Sequence, residues 1–350
     1  MAPSSPNAVT LQMIADKVGL SPSTVSVVLN GKARERKIAP ATERRILKAA
    51  SELKYQPNFF ASQLRRSSSR LLMICLQQLR DLHSSATAES FVQRAAERGY
   101  HVVLSAFLDE PDPMRVSDEV LGTHGVPALA VVGSASGILR GEMLDRWLKR
   151  GVQVVSIEHK PSDSRVSCVL TDEFTGGLLA GRHVYEQGVQ KVWVLAGEQS
   201  HPFTERVEGY RAAAAEASAP EPILLWTGPS RLNWSQRGYE AVREALKRHD
   251  PPDALLGVGG MITVAGTRAL VEAGLVIGRD VSVVSYHTGE LGQFFSPPLT
   301  SVDPPVHEAG AAAADLLIDM LEGKRRQGET VKFKPSITIR ESSRWQGRRG

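Results

Sequence analysis

The sequence predicts an α/β protein with a small all-α module at its N-terminus and a larger two-lobed body built on parallel sheets. Three observations predict this fold. Short amphipathic helical segments fill the first sixty residues, strand-length apolar runs alternate with helical segments from residue 71 onward, and the alternation continues for roughly 260 residues. Alternating strands and helices form parallel sheets with right-handed crossovers. Because roughly 260 residues exceed one comfortable sheet, we expect two lobes.

The expected strands of the body are apolar runs bounded by polar or turn residues. They lie at 71–76, 101–106, 128–133, 153–157, 166–170, 191–196, 223–227, 254–258 and 281–286. The helices predicted between these strands lie at 86–98, 141–149, 175–187, 205–217, 234–247 and 262–273. The apolar runs have the length of buried strands, and the segments between them have the length and periodicity of amphipathic helices.

Composition and charge indicate a globular protein with one basic end. The chain has 350 residues, of which 42% are hydrophobic and 23% are charged. It has two cysteines, Cys75 and Cys168, which we expect to be buried free thiols. Residues 1–70 contain 12 Lys/Arg and 4 Asp/Glu, whereas the rest of the chain has a net charge of −4. A basic head on a mildly acidic body predicts a polyanionic partner for the head alone.

The first sixty residues contain three predicted helices. Apolar residues of segment 11–18 recur at helical spacing and predict the first helix. Gly19 then permits a tight turn, and Ser21 with Pro22 begins a second helix as its N-cap and first helical residue. A third helix starts at Pro40 and closes a small core. Two short helices joined by a glycine turn form a helix-turn-helix, whose second helix lies in the major groove of DNA.

Two stretches of this region carry the most specific pattern. They read Ser21-Pro22-Ser23-Thr24-Val25-Ser26-x-Val28-Leu29-Asn30-Gly31 and Leu53-x-Tyr55-x-Pro57-Asn58-x-x-Ala61-x-x-Leu64-Arg65. This spacing closely resembles the headpiece of the lac repressor (LacI) family of transcriptional regulators. The resemblance implies a DNA-binding headpiece, whose contact residues carry over by position to Thr10, Ser21, Pro22, Ser23, Thr24, Ser26, Val27, Asn30 and Tyr55. Hydroxyl and amide groups in this set suit phosphate oxygens.

Two positions depart from the pattern of the family. Val27 stands where family members very often have an arginine that reads a base. Valine cannot form a bidentate bond to guanine and offers only an apolar surface, for instance to a thymine methyl group, so we expect a different base preference there. Plain helix packing is the alternative role of Val27. Ala39 replaces the serine that usually caps the third helix, and a lost cap costs about 1 kcal/mol.

Residues 57–64 are predicted to form one or two helical turns. An isolated helix of this length is unstable in water, so it must fold against a partner. The resemblance implies paired hinge helices in the minor groove, with Asn58 as cap, Ala61 at the close approach, Leu64 as a wedge between base pairs, and Arg65 at the groove edge. A simple linker is the alternative.

The predicted domain boundaries follow from these patterns. We expect the helix-turn-helix headpiece at 1–56, the hinge helix and linker at 57–70, an effector-binding and dimerisation domain at 71–345, and a basic tail at 346–350. Within the body, the N-lobe is expected at about 71–168 plus 302–328, and the C-lobe at about 169–300 plus 330–343.

The body matches the same family in further stretches. They include Asp172-x-x-x-Gly176-Gly177, Arg206-x-Glu208-Gly209-Tyr210-Arg211 and Ile339-Arg340-Glu341-Ser342-Ser343-Arg344. The resemblance implies the periplasmic-binding-protein-like α/β sensor fold, in which the chain crosses between the lobes three times. The ligand then sits in the cleft, near the carboxyl ends of the strands.

Five residues are candidates for binding the effector: His83, Glu158, Arg206, Trp234 and His287. Arg206 matches a family arginine that grips a sugar hydroxyl or a carboxylate, with a surface salt bridge as its alternative role. Trp234 matches an aromatic wall that stacks on sugar faces, unless it belongs to the lobe core. Glu158 ends a strand where the family often has an aspartate facing the cleft, and a solvated loop position is its alternative.

The cleft departs from the family at several ligand positions. Gly259-Gly260 stands where the family often has Asn-Asp, His287-Thr288 stands where it often has a pair of aspartates, and an aromatic stretch of the family is missing at 81–84. These changes predict a pocket that has lost acidic acceptors. Three alternatives stay open: an effector with acidic groups, drawn to the arginine and the two histidines; an ordinary sugar; or a pocket that no longer binds a ligand.

The sequence therefore predicts a sequence-specific DNA-binding transcriptional regulator. We expect a repressor controlled by a small-molecule effector, a carbohydrate or a related metabolite. A homodimer would read a palindromic operator in double-stranded DNA through its two heads. The tail after Ser343 is basic and too short for the helix that makes tetramers in the family, which favours the dimer.

Other classes of protein fit the sequence less well. We find no phosphate-binding loop, no nucleophile elbow and no metal-spaced His or Cys pair, so we expect no catalytic residues, no metal and no cofactor. This argues against an enzyme on the two-lobed fold. We find no export signal and no run near the roughly 18 apolar residues of a membrane span. We therefore expect a cytoplasmic, nucleoid-associated bacterial protein rather than a sugar-transport receptor.

Overall fold

A computed structural model describes residues 9–29, 31–55, 70–77, 79–106, 118–119, 121–122, 125–133, 139–197, 199, 201–227 and 234–347. The chain divides into two compact units, Met1–Ser69 and Arg70–Gly350. Five of the predicted DNA contacts lie outside the described residues: Asn30, Asn58, Ala61, Leu64 and Arg65.

The first unit contains three helices around one apolar core. They are α1 (Leu11–Val18), α2 (Pro22–Leu29) and α3 (Pro40–Glu52). The Thr10 side chain caps α1 by accepting a hydrogen bond from the Met13 N–H, and Gly19 ends the helix in the left-handed conformation with φ 61°. Such a backbone favours glycine because it has no Cβ. The core residues with no exposed surface are Ile14, Ala15, Val25 and Ile46.

The second unit contains two six-stranded sheets. The first sheet has the order β11-β5-β4-β3-β1-β2 and contains β1 (Leu71–Leu76), β2 (His101–Ala106), β3 (Ala128–Val132), β4 (Gln153–Ile157), β5 (Ser167–Thr171) and β11 (Thr330–Phe333). The second has the order β12-β10-β9-β8-β6-β7 and contains β6 (Val192–Ala196), β7 (Ile223–Trp226), β8 (Ala254–Gly257), β9 (Ser282–Tyr286), β10 (Thr300–Asp303) and β12 (Ser336–Thr338). The strands pair in parallel, except that β12 runs antiparallel to β10.

Helices cover both sheets and define two lobes. The first lobe combines the first sheet with α4 (Leu82–Glu97), α5 (Gly141–Lys149) and α10 (Val306–Leu321). The second lobe combines the second sheet with α6 (Glu173–Tyr185), α7 (Phe203–Glu216), α8 (Trp234–Arg248) and α9 (Gly260–Glu272), and 3-10 turns occur at Gly289–Phe294 and Glu341–Ser343. Strands such as β1 and β6 are buried along their whole length, as parallel strands covered on both faces require. The predicted α/β fold with two parallel-sheet lobes is confirmed.

The lobe boundaries predicted from the sequence need correction. The chain leaves the first sheet after β5, returns after β10, and crosses a third time between β11 and β12. Strand β5, which the prediction divides at residue 168, therefore lies wholly in the first lobe. Strand β11, predicted in the C-lobe, pairs with β5, and residues 302–303 belong to β10 of the second lobe. The sheet that an edge strand joins depends on a partner far away in sequence, so local patterns do not specify it.

The unfilled cap of α3 generates a prediction about the first unit. Ala39 has an extended backbone (φ −60°, ψ 138°) and makes no side-chain capping bond. Ala39→Thr supplies a hydroxyl acceptor for the free N–H groups of the first turn. We expect the α3 amides of the full chain to gain about 1 kcal/mol of protection against hydrogen exchange. Ala39→Val has the same shape without the oxygen, and equal protection in the two variants would contradict the capping role.

Candidate functional sites

The N-terminus of α2 presents a cluster of hydroxyl groups. The Ser21 Oγ lies 2.9 Å from both the Ser23 Oγ and the Thr24 Oγ1, and it accepts a hydrogen bond from the Thr24 N–H at 3.2 Å. Ser21 and Ser23 are exposed and Thr24 is half-buried. A helix N-terminus with exposed hydroxyls offers hydrogen-bond donors and a favourable dipole to a phosphate oxygen.

The other described head contacts lie on the same helix or near the core. Val25 and Val28 are 0% and 3% exposed, so α2 packs this face against the head. Ser26 and Val27 are half-buried and fall beside Ser23 at helical spacing. The residues of α2 that are predicted to contact DNA therefore lie on the side of the helix opposite its buried face. Another predicted contact, Tyr55, is half-buried against the head core.

In the second unit, Glu158 stands at the centre of a polar cluster in the first lobe. It follows β4 with φ 70°, and its side chain is 9% exposed. Its Oε1 forms an ion pair with the His83 Nε2 from the first turn of α4 and lies 3.3 Å from the Thr87 Oγ1. Burial alone would lower the pKa of His83. The negative charge of Glu158 outweighs this effect, so the pKa of His83 lies above its ordinary value.

The second lobe contributes a buried ion pair to the cleft. The Arg206 Nε, on α7, donates to the Glu173 Oε2, on α6, at 2.7 Å. The Tyr286 hydroxyl at the end of β9 donates to the same oxygen at 2.5 Å, and the Arg206 Nη1 donates to the Val258 carbonyl at 2.5 Å. Arg206 is 5% exposed and Glu173 is 0% exposed. Burial raises the pKa of Glu173, but the charge of Arg206 prevails and lowers it.

Two glycines allow this packing. A Cβ at Gly177 would lie 2.1 Å from the Arg206 carbonyl oxygen, and a Cβ at Gly176 would lie 2.3 Å from the Tyr286 hydroxyl oxygen. Any side chain larger than hydrogen would therefore push α6 away from α7 and β9. The Gly176-Gly177 motif of the sequence is explained by this close approach.

Two pairs of histidine rings meet in the cleft. His287 follows β9 with φ 50°, and its ring centroid lies 4.8 Å from that of His83, at an angle of 83°. His159, after β4, and His201, before α7, lie 5.2 Å apart at 87°. Burial, reinforced by the neighbouring histidine, lowers the pKa of His287 to about 3 and that of His201 to about 4.

An aromatic pair continues the cleft wall in the second lobe. Trp234, the first residue of α8, is half-buried, and its ring centroid lies 5.0 Å from that of Phe203. Phe203 in turn lies 5.5 Å from the Arg206 guanidinium carbon. The Trp234 ring also covers Gly197, where a Cβ would lie 3.2 Å from it.

The structure brings the predicted cleft residues together and adds new ones. His83, Glu158 and His287 form one connected cluster, and Arg206 and Trp234 are linked through an aromatic ring. The positions 259–260 and 287–288 carry no acid, as predicted from the sequence, but two buried carboxylates, Glu158 and Glu173, lie nearby, and Glu173 neutralises the arginine. Residues that the sequence interpretation missed are Thr87, His159, Glu173, His201, Phe203 and Tyr286. Of these, Glu173 had no local signal, because its role depends on a partner 33 positions away.

Comparisons with known proteins agree with both units. The model of bacterial regulatory proteins of the lacI family matches residues 10–58, and the model of a periplasmic binding protein-like domain matches residues 182–343. Together they match more than half of the chain. The HTH-type transcriptional repressor PurR of Vibrio parahaemolyticus is 27% identical over 336 residues, which cover 95% of this chain and 98% of that protein.

Solved structures share the fold. The lac repressor dimer bound to operator and the anti-inducer ONPF superposes with a TM-score of 0.82 at 22% identity, covering 96% of this chain and 99% of that one. The complex of the transcriptional regulator CelR with cellobiose gives a TM-score of 0.69 at 24% identity, covering 96% and 100%. The protein therefore belongs to the lacI family of bacterial regulatory proteins, which are DNA-binding transcriptional regulators controlled by small-molecule effectors.

Proposed function

We propose that this chain is a transcriptional repressor that binds a palindromic operator as a homodimer and changes its affinity when a small molecule enters the cleft. The observation that carries the proposal is the hydroxyl cluster of α2, which lies opposite the buried Val25 and Val28 on a helix-turn-helix. Ser21, Ser23 and Thr24 meet phosphates or bases, and the hinge residues beyond the head complete the contact. A steep fall in operator affinity with salt is then expected.

The proposed repressor function also implies where the protein works and how the chain is divided. The protein acts as a regulator without catalytic chemistry, as the repressor names of its relatives support. It works in the bacterial cytoplasm on the nucleoid, where its operator lies. Among the described helices, none is long and apolar enough to cross a bilayer. The proposed units are a headpiece at 1–56, a hinge at 57–70 and an effector-binding body from residue 71.

Val27 generates the prediction for DNA reading. Selection of binding sites from a random library should return a half-site that lacks the guanine usual in the family at the position facing Val27. Val27→Arg should restore that guanine, because a guanidinium binds its O6 and N7 together. Val27→Ala, the matched control, should weaken binding modestly without restoring guanine. A wild-type selection that returned guanine would reduce Val27 to a packing residue.

The charges of the cleft favour a neutral effector. Glu173 compensates Arg206, and Glu158 compensates His83 whenever that ring is protonated. The acidic effector considered from the sequence needs an uncompensated cation, and no such cation remains among these side chains. A buried net charge is costly, so a ligand that adds none is preferred. We therefore choose a neutral carbohydrate over an acidic metabolite.

The remaining groups of the cleft suit such a ligand. The Glu173 Oε1 and the Thr288 Oγ1 are buried and have no hydrogen-bond partner among the described residues, so each can bind a ligand hydroxyl. Trp234 and Phe203 offer ring surfaces to the apolar face of a sugar. The CelR relative holds cellobiose, which is consistent with this class.

Glu173→Gln tests the neutrality of the cleft. The variant leaves the buried Arg206 charge uncompensated, so we expect lower thermal stability and a ratio of acidic to neutral sugar affinity that rises about tenfold, or 1.4 kcal/mol. Calorimetry with ribose, glucose, cellobiose and glucuronate measures this ratio. Glu208→Gln, at an exposed position of α7, the helix that carries Arg206, is the control and should leave the ratio unchanged. Wild-type binding of glucuronate in preference to the neutral sugars would contradict the proposal.

An exposed apolar patch supports the homodimer. Leu291, Phe294 and Phe295 are 50%, 76% and 38% exposed and lie within five residues of one another. Single exposed apolar residues are ordinary, but a cluster of this kind marks an interaction surface. At the edge of the first sheet, Leu104 of β2 is 41% exposed, and among the described strands β2 pairs only with β1. Both surfaces are suited to contact a second copy.

Phe294→Asp should shift the protein towards the monomer. A carboxylate in an apolar interface remains unpaired and costs several kcal/mol, so we expect the dimer dissociation constant to rise at least about 100-fold. Sedimentation equilibrium of the full chain measures it. Ile223→Asp, a change at a 39% exposed position on the edge strand β7, is the control and should leave the dimer intact. An unchanged dissociation constant for Phe294→Asp would exclude this patch.

A further inference from the structure

Both histidine pairs of the cleft join one lobe to the other. His83 belongs to α4 of the first lobe, and His287 follows β9 of the second. His159 follows β4 of the first lobe, and His201 precedes α7 of the second. Four of the nine histidines of the chain therefore form edge-to-face contacts between the lobes. These contacts exist only while the lobes are close together.

The charged groups around each pair decide how many protons it holds. Facing His83 and His287 are Glu158, Asp81 and Arg206. Facing His159 and His201 are Glu173, Glu205, Arg206 and Lys160. In the first pair, the ion pair with Glu158 gives a proton to His83, so a second proton on His287 would face a like charge across 4.8 Å. Two imidazolium rings at this distance repel each other strongly in a site of low dielectric constant.

We propose that the two pairs, His83 with His287 and His159 with His201, form a proton-sensitive latch that holds the lobes closed while His287 and His201 are neutral and opens them on acidification. The proposal rests on the proposed function in one respect, because the gated cleft is the one assigned to the effector. Acid then acts on the protein as a second signal through the lobe movement that the effector uses.

The sign of the effect follows from the pKa values. In the closed lobes the pKa of His287 is about 3 and that of His201 is about 4, whereas an exposed histidine has a pKa of about 6.5. Opening therefore binds protons, and the closed form loses stability as the pH falls below about 6.5. The raised pKa of His83 is caused by Glu158 and Asp81 of its own lobe, so it persists when the lobes open and is not a consequence of closure.

The size of the effect follows from the same values. Between pH 7.5 and pH 5.5, each histidine whose pKa falls on closure should lower the ratio of closed to open molecules about tenfold. His201 and His287 together should lower it about 100-fold. The His201 Nδ1 is buried without a hydrogen-bond partner among the described residues, so a proton placed there would also lack an acceptor.

The test measures the distance between the lobes without DNA or effector. Spin labels are placed on the full chain at Glu142→Cys on α5 and Lys247→Cys on α8, both exposed positions. The native cysteines are buried and should stay unlabelled. Double electron–electron resonance should show one distance population at pH 7.5 and a second population at pH 5.5, with far-UV circular dichroism unchanged. A distance distribution that does not change between the two pH values would overturn the latch.

Variants separate the latch from general acid effects. H201N/H287N, made in the labelled chain, should keep most of the pH 7.5 distribution at pH 5.5, because only His159, whose pKa is also lowered by burial, can still gain a proton on opening. If the double variant does not fold, H201N and H287N alone should each remove about tenfold of the pH response. H307N, at an exposed position of α10, is the control and should respond as the wild type does. A full pH response in H201N/H287N would reject the proposal. Operator binding and effector binding are measured in separate experiments, so a failure of the proposed function can be distinguished from a failure of the latch.

Discussion

The ion pair between Arg206 and Glu173 is the constraint on which the cleft depends. A guanidinium that is 5% exposed is tolerated only when its charge and its N–H groups are satisfied. Glu173 supplies the charge, and the Val258 carbonyl and the ring of Tyr286 complete the surroundings. One side chain thereby fixes the spacing of α6, α7, β8 and β9. The glycines of α6 are required because only they allow the two helices to approach this closely.

The same rule operates in the first lobe with a titratable partner. Glu158 is buried at the end of β4 and is paired with His83 rather than with an arginine. The difference is functional, because an arginine remains charged at every accessible pH whereas a histidine does not. The second lobe therefore has a fixed ion pair, and the first has one that depends on protons. Glu158 and His287 each follow a strand end, where the backbone takes positive φ.

Local sequence patterns predicted most of the helices and strands, but they did not predict which residues far apart in sequence pair with one another. Strands β1 to β9 and α5 fall within about two residues of their predicted bounds, because buried parallel strands are continuous apolar runs, whereas β10, β11 and β12 were not predicted. Helix α4 begins at Leu82, four residues before its prediction, because Asp81 caps it through the Ser84 N–H. Strand β11 and Glu173 could not be placed, since each is defined by a partner that no nearby residue indicates. The five predicted cleft residues follow from a family resemblance, whereas the charge balance among them depends on contacts between residues far apart in sequence.

That charge balance changes how the departures from the family are understood. An aspartate at position 287 would bring a permanent negative charge towards Glu158 and would compete with it for the proton on His83. Histidine with a pKa of about 3 is neutral at physiological pH and adds no charge to the closed cleft. The carboxylates near this position are Glu158 and Glu173, each with its own basic partner, and the ring at position 287 stands at the lobe boundary, where its charge depends on whether the lobes are closed.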